Sequence, residues 1–146
     1  MTRQSIMGYS VTLGGCPISW KAKKQTTVRR SSAEAEYHSM AIPTAKLVWL
    51  RGLLCSLGVD QSQPTELHSD NQAAIYIVAN PVFHKRTKHI EIDCHFVRDH
   101  LKKGHIITRY LSSSHHLADI FTKALGQDRF QALLRKLGTI DIHAPT

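Results

Sequence analysis

Two periodicities alternate along this chain, and their order narrows what it can fold into more than any single residue does. Met7 to Leu13 (MGYSVTL) and Pro17 to Lys21 (PISWK) carry aromatic and β-branched residues on either side of Gly14-Gly15, the signature of two strands joined by a tight hairpin turn. Lys23 to Arg30 is a polar, basic connection. Ser31-Ser32-Ala33-Glu34 then reads as a capping box, with a hydroxyl at the cap and a carboxylate three residues on. Ala33, Tyr37, Met40 and Ala41, followed by Leu47, Leu50 and Leu54, recur at helical spacing up to a stop at Gly58. Pro43 falls inside this run. Proline lacks an amide proton and its ring crowds the preceding turn, so a kink or a break into two helices is expected there.

Gln61 to Pro64 reads as a loop, and Thr65 to Ser69 (TELHS) as a strand with Asp70 at its C-terminal end. Gln72 to Ala79 (QAAIYIVA) is a short helix ended by Asn80-Pro81, and Phe83 to His89 a basic loop. Ile90 to Lys103 forms a helix closed by Gly104, His105 to Leu111 alternates as a strand, and Leu117 to Ala124 and Asp128 to Leu137 are further helices. The order hairpin, helix, strand, helices, strand, helix argues an α/β fold with a mixed sheet. One domain over 1–137 with a loose tail at 138–146 is expected; no internal repeat or low-complexity segment divides it.

Composition bounds the function class. No apolar run approaches the ~20 residues a membrane span needs, and Met1-Thr2-Arg3-Gln4-Ser5 leads into a strand-like segment without a signal-peptide pattern. Cys16, Cys55 and Cys94 are odd in number, far apart and without a CxxC pair. That argues against a disulfide framework or zinc knuckle and for an intracellular, reducing setting. Nineteen Lys and Arg against eleven Asp and Glu leave a net charge of +8, which suits a polyanionic partner because phosphate neutralisation dominates nucleic-acid affinity.

Three carboxylates stand at element ends. Glu36 lies within the first two turns of the long helix, Asp70 at a strand end before a helix, and Asp119 in the first turn of a later helix. Metal-dependent phosphodiester cleavage needs carboxylates converging on two ions about 4 Å apart, and Mg²⁺ accepts a few well-aimed oxygen ligands while keeping much of its water. A simpler reading exists for Glu36 and Asp119, since an acid near a helix start is stabilised by the macrodipole alone. Glu34 belongs to the cap. Asp70 carries more, because strand ends before helices are where open α/β sheets bind ligands.

The phrases SSAEAEY (Ser31 to Tyr37), HSDNQAAI (His68 to Ile75), RTKHIEIDCHFVRD (Arg86 to Asp99) and LADIFTKAL (Leu117 to Leu125) occur in that order, after GYSVTLGGCPISWKAKKQTT (Gly8 to Thr27). Together they closely resemble the ribonuclease H region at the end of copia-type retrotransposon Pol polyproteins, from about Thr2 to about Leu137. The resemblance implies a ribonuclease H-like mixed sheet flanked by helices. It also implies Mg²⁺-dependent cutting of the RNA strand of an RNA–DNA hybrid during reverse transcription, and a reverse transcriptase domain of the parent polyprotein as partner. By the same resemblance Glu36, Asp70 and Asp119 match metal ligands. His115, four residues before Asp119, matches a histidine that aids proton transfer or product release. As a plain residue it is a solvated loop histidine.

The chain departs from that pattern in one respect with large consequences. The family's fourth carboxylate, an aspartate on the first and central strand, comes just before the phrase TRQSIMGYSV with which this chain opens. Without that strand the expectation is two half-sheets, a weakened Mg²⁺ site and little or no activity. A non-catalytic nucleic-acid-binding remnant and a fragment that does not fold are the alternatives. Lys46, Pro43 and His116 are smaller departures and remove no ligand.

Other side chains have weaker claims. His84, His89 and Cys94 are spaced at five residues but lack a second cysteine for zinc. Lys21, Lys23, Lys24, Lys85, Arg86, Lys88, Lys102 and Lys103 are candidate phosphate contacts or simply a solvated basic face. Trp20 and Trp49 are expected in core or hairpin packing rather than as base-stacking platforms.

Overall fold

A computed structural model describes residues 6–24, 32–80, 88–139 and 142–143, with the side chains at 32–34 and 88–91 excepted. The capping box at Ser31, most of the basic loop from Phe83 and most of the tail lie outside them. The chain divides into two compact units, Met1–Thr26 with Ser113–Thr146, and Thr27–Ser112.

In the first unit, β1 (Ile6–Leu13) pairs antiparallel with β2 (Cys16–Lys24). Gly14 and Gly15 have φ of 58° and 81°. Two consecutive positive φ values make a two-residue turn whose twist matches the strands, and only glycine adopts them without strain. The register slips between Val11 and Thr12, which pair with Ser19 and Pro17. Ile18 is thus left as the extra residue of a bulge, next to a proline that cannot donate to a ladder. The predicted helix from Leu117 to Ala124 is a single turn, α4 (Asp119–Thr122), preceded by a 3₁₀ turn at Ser113–His115. It stops because Lys123 is extended, at φ −126° and ψ 145°. α4 lies against β1 and β2. A Cβ on Gly8 would collide with the Thr122 methyl, so the absence of a side chain there permits the approach. α5 (Gln127–Leu137) buries Leu133 and Leu137 and ends in left-handed Gly138.

The second unit is built around α1 (Ser32–Ser56), β3 (Thr65–Ser69), α2 (Gln72–Ala79), α3 (Lys88–Lys102) and β4 (Ile106–Tyr110). β3 and β4 run parallel in register, Thr65 beside Ile106 and Ser69 beside Tyr110, and α2 and α3 form the crossover that parallel strands require. Among the described residues the two pairs are separate two-stranded sheets, so the chain is mixed α/β with small sheets and helices.

Of the kink or break expected at Pro43, the break does not occur: α1 is one 25-residue helix. The proline removes one hydrogen bond. Buried Tyr37, Met40, Ala41, Thr44 and Leu47 hold the helix on both sides of it, and α1 packs along α3 and β3. Burial of this stripe outweighs the local cost of the proline. The Thr44 hydroxyl donates to the Met40 carbonyl at 2.7 Å, which satisfies a buried polar group one turn back.

Cross-links fix the second unit. Arg51 reaches from α1 to the loop before β3, donating to the carbonyls of Gln61 and Gln63 at 2.6 and 2.8 Å and to the Thr65 hydroxyl at 3.0 Å. His38 on α1 and Asp93 on α3 meet at 3.2 Å. Arg98 on α3 is buried and donates to the carbonyls of Val78, Ile77 and Asn80, at 3.0, 3.1 and 2.8 Å. A helix leaves its last carbonyls without partners, and one guanidinium supplies them here for α2.

Of the two tryptophans, Trp49 departs from the expected packing and Trp20 meets it on the hairpin. Trp49 is 58% exposed on α1, its ring covered by the Lys46 ammonium at 4.4 Å, because the buried stripe of α1 runs along another face. Trp20 is 59% exposed on the hairpin and stacks near-parallel with Phe121 at 6.5 Å.

Candidate functional site

Asp70 follows β3 directly and precedes Asn71, whose side chain caps α2 by accepting from Ala74 N at 2.8 Å. Ser69 Oγ in turn accepts from Asn71 N at 3.1 Å. The turn carrying Asp70 is therefore held by its neighbours on both sides, while the aspartate is exposed. Its carboxylate makes no hydrogen bond or ion pair with the described residues. Glu36 is half-buried in the second turn of α1. Its backbone carbonyl accepts from Ser39, and its carboxylate too has no partner among the described residues. These two candidates belong to the same unit, on elements that pack together, α1 and β3.

Asp119 belongs to the other unit and differs in kind. It is 5% exposed at the start of α4. Its Oδ2 accepts from Arg129 Nη2 at 2.6 Å and from Lys123 Nζ at 3.1 Å. Arg129, in the first turn of α5, also donates from Nη2 to the Ser113 carbonyl. Its Nε is buried with no acceptor among the described residues, a state that costs roughly 1–3 kcal/mol. The sequence reading did not identify Arg129. Ten residues past Asp119, on the charged side of an amphipathic helix, nothing in its local pattern marks it. His115 closes the 3₁₀ turn, exposed, and shares a hydrogen bond with Ser114 Oγ at 2.9 Å.

Two oxygen donor groups without partners among the described residues, at Glu36 and Asp70, suit a hard divalent ion; a carboxylate oxygen held by two cations does not. Within either unit, among the described residues, no three of His, Cys, Asp and Glu come together in an arrangement able to hold a metal ion. The described residues therefore do not assemble a two-metal centre within either unit, and the Asp119 carboxylate is already paired with Lys123 and Arg129.

Comparison with known proteins gives the context of these side chains. Over 138 residues, 94% of this chain, it is 46% identical to the retrovirus-related Pol polyprotein from transposon RE2 of Arabidopsis thaliana. It is 45% identical over 134 residues to that of transposon RE1 from the same plant. The relatives that match most of its length are retrovirus-related Pol polyproteins of plant transposons. The tobacco transposon TNT 1-94 polyprotein (Nicotiana tabacum) is 32% identical over 136 residues. The chain spans about a tenth of the length of the curated relatives it matches. No family model and no solved structure matches it.

Among the remaining histidines and cysteines, Cys94, His100 and His105 have local explanations. Burial pushes the Cys94 thiol up to about 11, so it stays protonated, an inert core group rather than a ligand. His84 lies outside the described residues, as does the His89 side chain. The His100 and His105 rings share an Nδ1–Nδ1 hydrogen bond at 3.0 Å, which needs one ring to accept and therefore to be neutral.

Burial first, then the charge of His105, pulls the His100 pKa below the usual histidine value, with Lys103 adding to this and Asp99 opposing it. Phe96 packs edge-on against the same ring. A histidine whose folded pKa is depressed keeps its full stability above the unfolded value of about 6.5 and loses it as pH falls through that value toward the folded one. The second unit should therefore unfold at lower urea at pH 5 than at pH 7.5. His100→Gln should flatten that slope, and an unchanged slope would remove His100 as its source.

No helix among the described residues is long and apolar enough to cross a membrane.

Proposed function

We propose that this chain is the ribonuclease H-like segment of a retrotransposon Pol polyprotein. On this reading it engages an RNA–DNA hybrid beside a reverse transcriptase domain, and in isolation it cuts the RNA strand weakly or not at all. The observation that carries this reading is 46% identity over 94% of the chain to a Pol polyprotein, combined with the motif order given above. Glu36, Asp70 and Asp119 are the proposed ligands. Bound Mg²⁺ would supply an activated water and neutralise charge building on the phosphate and leaving oxygen. Asp70 is the best-placed donor, exposed and without a partner among the described residues, on a turn held by Ser69 and Asn71. His115, exposed beside Asp119, is the proposed proton carrier. The net charge of +8 and the exposed Lys21, Lys23 and Lys24 on β2 favour contact with a phosphate backbone.

Weak cutting follows from Asp119, whose carboxylate is already paired with two cations. The same pairing favours the second reading, a non-catalytic hybrid-binding domain. Binding of the full chain to a labelled RNA–DNA hybrid, followed across salt, tests the shared part. Neutralising about three phosphates predicts that affinity falls roughly 10- to 50-fold between 50 and 200 mM salt. No binding at low salt would sink both readings. Cleavage with Mg²⁺ then separates them: residual cutting that disappears in Asp70→Asn supports the nuclease, and its absence leaves the binder. Robust cutting by the unmodified chain overturns the weak-activity claim.

A further inference from the structure

Asp119 is the candidate ligand that already has a charge partner, and the partner comes from a separate helix. Arg129 Nη2 bridges three segments at once: Asp119 Oδ2 at the start of α4, the Ser113 carbonyl at the start of the 3₁₀ turn, and its own place in the first turn of α5. Lys123, four residues after Asp119, adds a second positive charge to the same oxygen. Two cations on one carboxylate leave its surroundings positive rather than negative. The guanidinium holds this position although its Nε is buried without an acceptor among the described residues. A side chain settling only its own hydrogen bonds would turn that donor toward water, so the carboxylate is what retains it.

We infer that Arg129 and Lys123 form an internal cation latch on Asp119, occupying at Oδ2 the position a divalent ion would need. A metal–oxygen distance of about 2.1 Å would bring a dication close to two like charges in a poorly hydrated place. Metal loading at Asp119 and docking of Arg129 are therefore mutually exclusive, and release of the first turn of α5 accompanies loading. Arg129 is a positioning residue in this scheme. The inference rests on the proposed function only for taking Asp119 as a ligand.

The test uses the full chain with Mn²⁺ alone, reading paramagnetic broadening of signals around Asp119 together with the binding isotherm. Arg129→Gln should raise Mn²⁺ affinity at Asp119 about tenfold, and adding Asp119→Asn should abolish the gain. Lys123→Gln, whose side chain is 47% exposed and so a mild change to the fold, should give a smaller gain in the same direction. It keeps the test alive if Arg129→Gln unfolds. A merely structural role for Arg129 would lower the melting temperature without changing Mn²⁺ affinity.

Equal Mn²⁺ binding at Asp119 in the unmodified chain and the variants would overturn the inference. So would no binding there in any folded variant. Broadening around Glu36 and Asp70 reports on the ribonuclease reading separately. If it is absent while the latch variants open Asp119, that reading fails and the latch stands. If it is present while the latch variants change nothing, the latch fails and the reading stands.

Discussion

Arg98→Ala is expected to lower the unfolding free energy of the Thr27–Ser112 unit by about 3 kcal/mol. Arg98 is 7% exposed and its guanidinium donates to three carbonyls at the C-terminal end of α2. Hydrogen bonds from a charged donor are each worth about 1.5–3 kcal/mol, and the loss is not additive. Truncation also leaves the buried carbonyls of a helix end without partners. Arg98→Lys should recover less than half of the loss, because an ammonium is a point charge and cannot match a planar fork that reaches three acceptors. Urea unfolding of both variants checks this. A loss under about 0.5 kcal/mol for Arg98→Ala would mean that water replaces the guanidinium at the end of α2.

Ile106→Ala is expected to cost about 2–4 kcal/mol in the same unit. Ile106 is fully buried at the first position of β4, beside Thr65 in the parallel ladder, in a strand packed by α2 and α3. Removing its side chain subtracts transfer energy and leaves a cavity between elements that cannot collapse without disturbing the ladder. Ile106→Val should cost about 1 kcal/mol. Tyr110→Ala, at the far end of the same strand and 52% exposed, should stay within about 0.5 kcal/mol. A flat response across the three would contradict a core centred on the start of β4.

Much of the local structure was legible because its causes are local. Gly14-Gly15 between two strand-like runs specifies a hairpin through backbone conformation alone, and the turn has the two positive φ values that this requires. Gln72 to Ala79 is a helix with the bounds that its cap and the following Asn80-Pro81 set. Asp70 stands at the end of β3 because the strand pattern of Thr65 to Ser69 stops there. The resemblance drawn from five ordered phrases is matched by homologues that are transposon Pol polyproteins.

What depends on distant partners was not legible. Pro43 reads as a kink or a break when only local hydrogen bonding is considered; the packing of Tyr37, Met40, Thr44 and Leu47 against other elements keeps α1 from breaking in two. Trp49 reads as core by residue type, yet the buried face of a helix is chosen by its neighbours, and Trp49 lies on another.

The three carboxylates show the division most plainly. Sequence determined their identity, their positions near element ends and their likeness to a ligand set, because each depends on residue type and short spacing. Tertiary structure alone decided their state. Glu36 and Asp70 are left without partners among the described residues, while Asp119 is buried against Lys123 and Arg129. Whether a carboxylate is free or paired depends on which charges the fold brings within a few ångströms and how much water it removes around them, and no pattern along the chain records either.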